Sequence, residues 1–230
     1  ESKNFNDLKF RHIGPVGNRV VAVQGIPGDP LTYYVGAASG GIWKTEDGGI
    51  NWKPIFDDKP VHAIGALAIA PSDHQVIWAG TGEPFIRSNV SIGDGIWKST
   101  DGGASWKNMG LKNSEHISKV IVDPRNSDVV YVAAYGPLWS DGGERGVYKT
   151  VDGGENWERI HFISDKSGTA DLIMDPSNPD VLYEAVHPRR RHVFTYVGGG
   201  EESSLYKTTD GGKTWQKVEN GLPKTELGRI

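Results

Sequence analysis

Apolar residues in this 230-residue chain come in short runs, separated by clusters of Gly, Pro, Asp, Asn and Ser. Nowhere do the apolar positions recur every three to four residues, so the pattern predicts strands and no substantial helix. Four sets of four runs follow one another. The first set is 19–23, 33–37, 41–44 and 51–56, and the second is 64–70, 76–79, 95–98 and 105–109. The third is 117–122, 129–134, 146–149 and 156–161, and the fourth is 170–174, 181–186, 204–207 and 214–218. In the last three sets a turn cluster divides the first run from the second: Pro-Ser-Asp at 71–73, Asp-Pro-Arg-Asn-Ser-Asp at 123–128 and Asp-Pro-Ser-Asn-Pro-Asp at 175–180. There Pro presets φ and the Asx side chains close the turn.

The third and fourth runs of every set are joined by one recurring phrase. Residues 43–52 read Trp-Lys-Thr-Glu-Asp-Gly-Gly-Ile-Asn-Trp, and 97–106, 148–157 and 206–215 repeat it with few changes. From Asp47 to Asp101, Asp152 and Asp210 the spacings are 54, 51 and 58 residues. Asp-Gly between apolar runs is a hairpin signal, because Asp accepts local N–H bonds and Gly takes φ > 0 without a Cβ clash. The hydroxyls of Thr45, Ser99, Thr150 and Thr208 can add a bond, and Trp52, Trp106, Trp157 and Trp215 are expected to return buried over the turn. Four near-identical copies point to a structural role, since a catalytic Asp or a calcium loop is rarely needed four times.

Four antiparallel strands per unit, repeated at this period, predict an all-β fold of propeller blades. The expected blades are 19–57, 62–109, 116–162 and 169–218, forming one propeller segment. A sandwich is the alternative, but it does not explain the same turn recurring at the same place in each unit. Residues 228–230 read as the start of a fifth blade, and the expectation is a part of a larger propeller.

Ser/Thr-x-Asp-x-Gly-x-x-Trp resembles the Asp-box, or BNR repeat, of sialidases, sortilin-like receptors and xyloglucan-active tandem-propeller glycosidases, and all four copies fit it. The resemblance implies boxes at blade edges, remote from the active face. The stretches 33–45, 80–83 and 93–95 are similar to the first and second blades of large secreted bacterial proteins described as BNR-repeat or sortilin-like glycosyl hydrolases. That similarity implies an extracellular, periplasmic or cell-surface location. Two features depart from the enzymes in these families. The xyloglucan-active enzymes carry a catalytic Asp in a first-blade Asp-(Val/Ile)-Gly-Gly motif. Aligned on Gly40 and Gly41, that Asp falls at Ala38, and glycoside hydrolysis ordinarily needs a pair of carboxylates. The Arg-Ile-Pro motif of sialidases is interrupted in Phe10–Pro15, where Arg11 reads as a surface residue.

Composition narrows the partners. The net charge of −4, with no repeating basic and aromatic patch, argues against nucleic acid. No apolar run approaches the 18 residues of a membrane span, and the absence of cysteine removes disulfides and thiol catalysis. No metal or cofactor is expected.

In a meander the second-to-third loops face away from the third-to-fourth turns. These loops are 38–40, 82–94, 136–145 and 188–202, and long loops on a rigid scaffold are where binding concentrates. The candidate ligand-binding residues are Glu83, Phe85, Arg87, Trp139, Arg145, Arg189, Arg190, His192 and Tyr196. Glu83 is the weak candidate for an acid, the arginines suit a carboxylate or phosphate, and the aromatics suit sugar rings. The expected function is binding of a protein or polysaccharide without catalysis, the partner being an outside ligand, the remainder of its own polypeptide or another subunit. The alternatives are a glycoside hydrolase using Glu83 and a structural subunit of a larger surface complex.

Overall fold

The computed structural model describes residues 19–85, 87, 89–223 and 227–229. Phe10–Pro15 and Ile230 lie outside them. The first sheet is β1 (Val20–Gly25), β2 (Tyr33–Ala37), β3 (Ile42–Thr45) and β4 (Lys53–Pro54). The second is β5 (Ile64–Ala70), β6 (Asp73–Thr81), β7 (Ile96–Ser99) and β8 (Lys107–Asn108). The third is β9 (Ile117–Val122), β10 (Val130–Ala134), β11 (Gly146–Thr150) and β12 (Glu158–His161). The fourth is β13 (Ser167–Asp175), β14 (Asn178–Arg191), β15 (Tyr196–Gly198), β16 (Ser204–Thr208) and β17 (Gln216–Lys217).

Each sheet is an antiparallel meander in chain order, with β15 paired only to β14. The first strands touch in sequence, β1 to β5 to β9 to β13, and so form the inner edge. These are consecutive β-propeller blades. Among the described residues the helical element is the 3-10 turn Lys112–Ser114.

Three apolar cores fill the gaps between neighbouring sheets. The first packs Tyr34, Ile42 and Phe56 against Ile64, Leu67, Ile77 and Trp106. The second gathers Trp78, Ile96 and Met109 with Ile117, Val132 and Tyr148, and the third joins Tyr131, Ala133 and Val147 to Leu172 and Leu182. No sheet has a core of its own, so each blade depends on its neighbour.

The repeated turns make this dependence specific. Thr45, Ser99, Thr150 and Thr208 are buried. Each hydroxyl donates to its Asp and accepts the N–H of the second glycine, at 2.9 Å for Gly49, 2.8 Å for Gly103 and 3.0 Å for Gly154 and Gly212. The Asp carboxylate then caps the descending chain through the N–H of Asn51, Ser105, Asn156 or Thr214. The first glycine N–H bonds the first-to-second turn of its own sheet: Gly102 to Gln75 O, Gly153 to Asp128 O and Gly211 to Asp180 O. Both kinds of turn therefore share one end of the blades.

The second glycine lies against the preceding sheet. A Cβ at Gly103 would meet Ile55 Cδ1 at 2.6 Å, and one at Gly154 would meet Trp78 Cη2 at 2.6 Å. Trp106 donates its indole N–H to Ile55 O, and Trp157 donates to Met109 O. Tyr34 and Lys98 reach forward to Gly102 O and Gly153 O, and Tyr131 and Lys149 both reach Gly211 O.

Some expectations change. Trp106 is buried, at 8% exposure, but Trp52, Trp157 and Trp215 are half-buried. Trp52 has no preceding sheet among the described residues and bonds its own Gly49 O, while Trp215 stacks on His161. The outer strands β4, β8 and β17 are only two residues long, because the turn takes up the chain as far as the Trp. Residues 188–202 are largely not loop: β14 runs on to Arg191 and pairs with β15. Of residues 228–230, Gly228 and Arg229 are not in a strand, and the described contact here is a bridge between Leu227 and Gly200.

Two outcomes are expected. Thr150→Val leaves the buried Gly154 N–H without its acceptor and costs roughly 1–3 kcal/mol in urea unfolding, whereas Thr209→Val, at the exposed position after Thr208, is neutral. The second concerns acid. Hydrogen bonds from Asn51 and Thr45 hold Asp47 at about 2, and bonds from Ser105 and Ser99 hold Asp101 at about 2. These folded values lie below that of an unfolded Asp, near 3.9. The carboxylates therefore contribute fully above about pH 4 and lose their contribution as pH falls through about 2. Melting temperature drops across that window, and Asp101→Asn flattens the drop.

Candidate functional site

The opposite end of the blades collects the chain before each first strand and after each second strand. Ala37, Thr81, Ala134 and Val186 pair with Val20, Ile64, Ile117 and Thr169. The next residues, Ala38, Gly82, Tyr135 and His187, are thus equivalent positions. The N–H groups of Ala38, Gly82 and Tyr135 reach Arg19 O, Ala63 O and His116 O at 2.7–2.9 Å. Ala38 is buried here, so the position carries a methyl group where the xyloglucan-active motif has a carboxylate.

Glu83 follows Gly82 and is 1% exposed. It is not a free acid. Arg87 binds it through both oxygens, Nε to Oε1 at 2.7 Å and Nη2 to Oε2 at 2.6 Å, and Arg19 Nη2 lies 2.8 Å from Oε1. Two guanidinium groups, one in fork-to-fork geometry, thus take up both carboxyl oxygens. Arg19, Val20, Val21, Glu83, Phe85, Arg87 and Arg229 line a cleft of about 450 Å³.

Arg189 lies beside this cleft. Pairing of β14 with β15 buries it to 1% exposure. Its Nη1 donates to Pro84 O at 2.9 Å and Phe85 O at 3.1 Å, and its guanidinium carbon stands 4.1 Å from the Tyr135 ring centroid. Arg229 approaches the same carbonyl, with Nη1 at 3.4 Å from Pro84 O. The Tyr135 hydroxyl is hydrogen-bonded to His187 Nδ1, joining the third and fourth blades. Burial pushes Tyr135 up to about 12 and His187 down to about 4, with Arg229 and Arg189 adding to the His187 shift. His116 falls to about 3 through burial, then through Arg189 and Arg145. Both histidines are therefore neutral near pH 7, and the positive charge of the site belongs to its arginines.

The remaining candidates separate into two groups. Arg145 is buried and gives four of its five donors to Gly142 O, Tyr135 O, Pro137 O and Ser140 O, so it holds loop 136–145. Trp139, at 51% exposure, lies in that loop, and the loop in turn accepts the Arg191 N–H at Leu138 O. Arg190 sits 3.4 Å from Asp141, His192 stacks on Phe194, and Tyr196 lies under Arg191. These residues form a patch around the β14–β15 hairpin. A second cavity of about 340 Å³ opens there between Asp141, Lys166, Pro188, Arg189, Arg190, His192 and Val197. The cleft thus brings together Glu83, Phe85 and Arg87 of the expected set, with Arg189 joined to it through Pro84 O and Phe85 O. It adds Arg19 and Arg229, and Tyr135 packs against both Arg189 and Arg229; none of these was singled out. Their signal is register: Tyr135 follows the paired end of its second strand as Ala38 and Gly82 follow theirs. Among the described residues no group of His, Asp or Glu is arranged to hold a metal ion.

The family model for sortilin and neurotensin receptor 3, Sortilin-Vps10, matches residues 94–229. The chain belongs to the Sortilin-Vps10 family. It is also 26% identical over 218 residues to the xyloglucanase Xgh74A of Acetivibrio thermocellus (strain ATCC 27405), covering 86% of this chain and 19% of that protein. With the photosystem II stability/assembly factor HCF136 of Cyanidioschyzon merolae it shares 23% identity over 227 residues, covering 87% of this chain and 46% of the relative. Among solved structures, an ancestral GH74 enzyme matches with a TM-score of 0.67 at 24% identity, over 91% of this chain and 27% of that one. The GH74 xyloglucanase of Xanthomonas campestris matches with a TM-score of 0.64 at 19% identity, over 88% and 30%. These structural matches establish the shared propeller fold. The chain spans about a fifth of the length of the curated xyloglucanase and under half of the assembly factor.

Arg145→Ala removes the clamp and leaves buried carbonyls unpaired. It is expected to cost about 3 kcal/mol in urea unfolding and to open loop 136–145 to limited proteolysis before the sheets unfold.

Proposed function

We propose that this propeller segment is a non-catalytic binding module that holds a protein or glycan partner on the face opposite the Asp-boxes, outside the cytosol. The observation that carries this reading is the condition of Glu83: buried, with both oxygens held by Arg19 and Arg87. A general acid must carry a proton to its leaving group, and a carboxylate clamped by two guanidinium groups is poorly placed to do so. The first-blade position of the second carboxylate is Ala38. What the face does offer is a charged cleft rimmed by an exposed aromatic, the usual makings of a polar binding site. The similarity to xyloglucanases supports a glycan partner and an extracellular, periplasmic or cell-surface location. A partner supplied by the rest of its own polypeptide, or by another subunit of a surface complex, would use the same face.

The xyloglucanase relatives also favour a second reading, a glycoside hydrolase with Glu83 at its centre. The two readings diverge in one assay. Incubated with xyloglucan and a panel of β-glucans, the purified chain is expected to release no reducing ends, and Ala38→Asp alone is expected not to change this. Turnover that disappears in Glu83→Gln would establish the hydrolase instead. In a glycan array and a crosslinking screen, Phe85→Ala with Arg87→Gln is expected to lower partner binding, while Lys213→Gln at the Asp-box end leaves it unchanged.

A further inference from the structure

Charge pairing across the loop face leaves several guanidinium groups without a carboxylate among the described residues, Arg189 and Arg229 among them. Glu83 serves Arg19 and Arg87, and Asp141 lies 3.4 Å from Arg190. Arg189 has no carboxylate partner among the described residues, and its Nη2 has no acceptor there although the side chain is 1% exposed. Its Nη1 and that of Arg229 share Pro84 O, and the Arg229 guanidinium lies 5.8 Å from the centroids of both Tyr135 and Phe85. Two like charges are thus gathered round one carbonyl, Arg229 lining the 450 Å³ cleft and Arg189 the neighbouring 340 Å³ cavity. A carbonyl dipole and a ring face offset only part of the cost of a buried cation. An anion between the two guanidinium groups offsets the rest.

We infer that Arg189 and Arg229 form a carboxylate-binding pair, and that the ligand of this face is an acidic glycan whose uronate groups occupy it. The inference rests on the reading of this face as a binding surface. A carboxylate fits because planar guanidinium forks match its two oxygens. A glycan is favoured by Phe85, which is 40% exposed on the cleft rim. A pyranose laid on that ring brings a ring-borne acid towards Arg229, which stands over the same ring. Relatives that act on a polysaccharide point the same way, while the replacement of a family carboxylate by Ala38 and the surplus of arginine shift the preference from a neutral to an acidic chain.

The test is calorimetric titration of the purified chain with oligogalacturonate, its methyl-esterified form, xyloglucan oligosaccharide and polyglutamate. Oligogalacturonate is expected to bind, and to bind more weakly as salt rises. Esterification and Arg229→Gln are each expected to weaken it about ten-fold or more, with no change in melting temperature for the variant. Arg189→Gln should show the same loss; if it fails to fold, Arg229→Gln carries the test. Lys213→Gln should bind as the wild type does. Equal affinity for the free and esterified forms, or wild-type affinity in Arg229→Gln, overturns the carboxylate pair while leaving a glycan-binding face. Binding of polyglutamate without oligogalacturonate overturns the glycan assignment. If none of the four binds, this inference falls, and the broader reading is judged by its own crosslinking screen.

Discussion

The contact between each Asp-Gly-Gly turn from the second blade onward and the sheet before it is the constraint on which the rest of the structure depends. Each blade buries one broad face against its neighbour and has no core of its own, so blade orientation must be fixed at the edges as well as in the middle. The turn does this with three kinds of bond at once. A glycine without a Cβ lets the backbone come up against Ile55, Trp78 or Ile160. In the second and third blades an indole N–H closes on a carbonyl just past the preceding outer strand. A Tyr or Lys from the preceding sheet reaches the glycine carbonyl. Ala in place of that glycine would fail twice, through its positive φ and through the lack of space.

With the turns holding one end, the other end is free to vary. The blades differ little at the Asp-Gly-Gly turns and greatly at loops 38–40, 82–94, 136–145 and the β14–β15 hairpin. Buried polar groups concentrate at this varied end, among them Glu83, His116, Arg145, His187 and Arg189. A scaffold rigid at one end can hold strained or costly arrangements at the other, which is how binding surfaces are usually built.

Much of this is legible in the chain. The spacing of Thr, Asp, Gly, Gly and Trp specifies the local hydrogen bonds of each turn, and the parity of a meander assigns every loop to an end. What is not legible has physical reasons. Three consecutive arginines at 189–191 read as part of a binding loop. Strand pairing with Tyr196–Gly198 instead buries the first, while the other two stay half-buried. Arg145 has the composition of a ligand residue, but its role depends on where four carbonyls of a curled loop point. The bond between Tyr135 and His187 joins residues 52 apart on different sheets, and no local pattern announces it. The half-buried state of Trp52 and Trp215 likewise depends on what lies on the neighbouring blade, not on the motif itself.

The direction of the turn contacts has a temporal consequence. Every described turn from the second blade onward leans on the sheet already made, and none waits for the one that follows. The contacts span about one repeat, as in Trp106 with Ile55 at 51 residues and Trp157 with Met109 at 48. A chain emerging from the ribosome amino end first can therefore seat each turn as soon as it appears, and the exposed edge at any moment is a single blade wide.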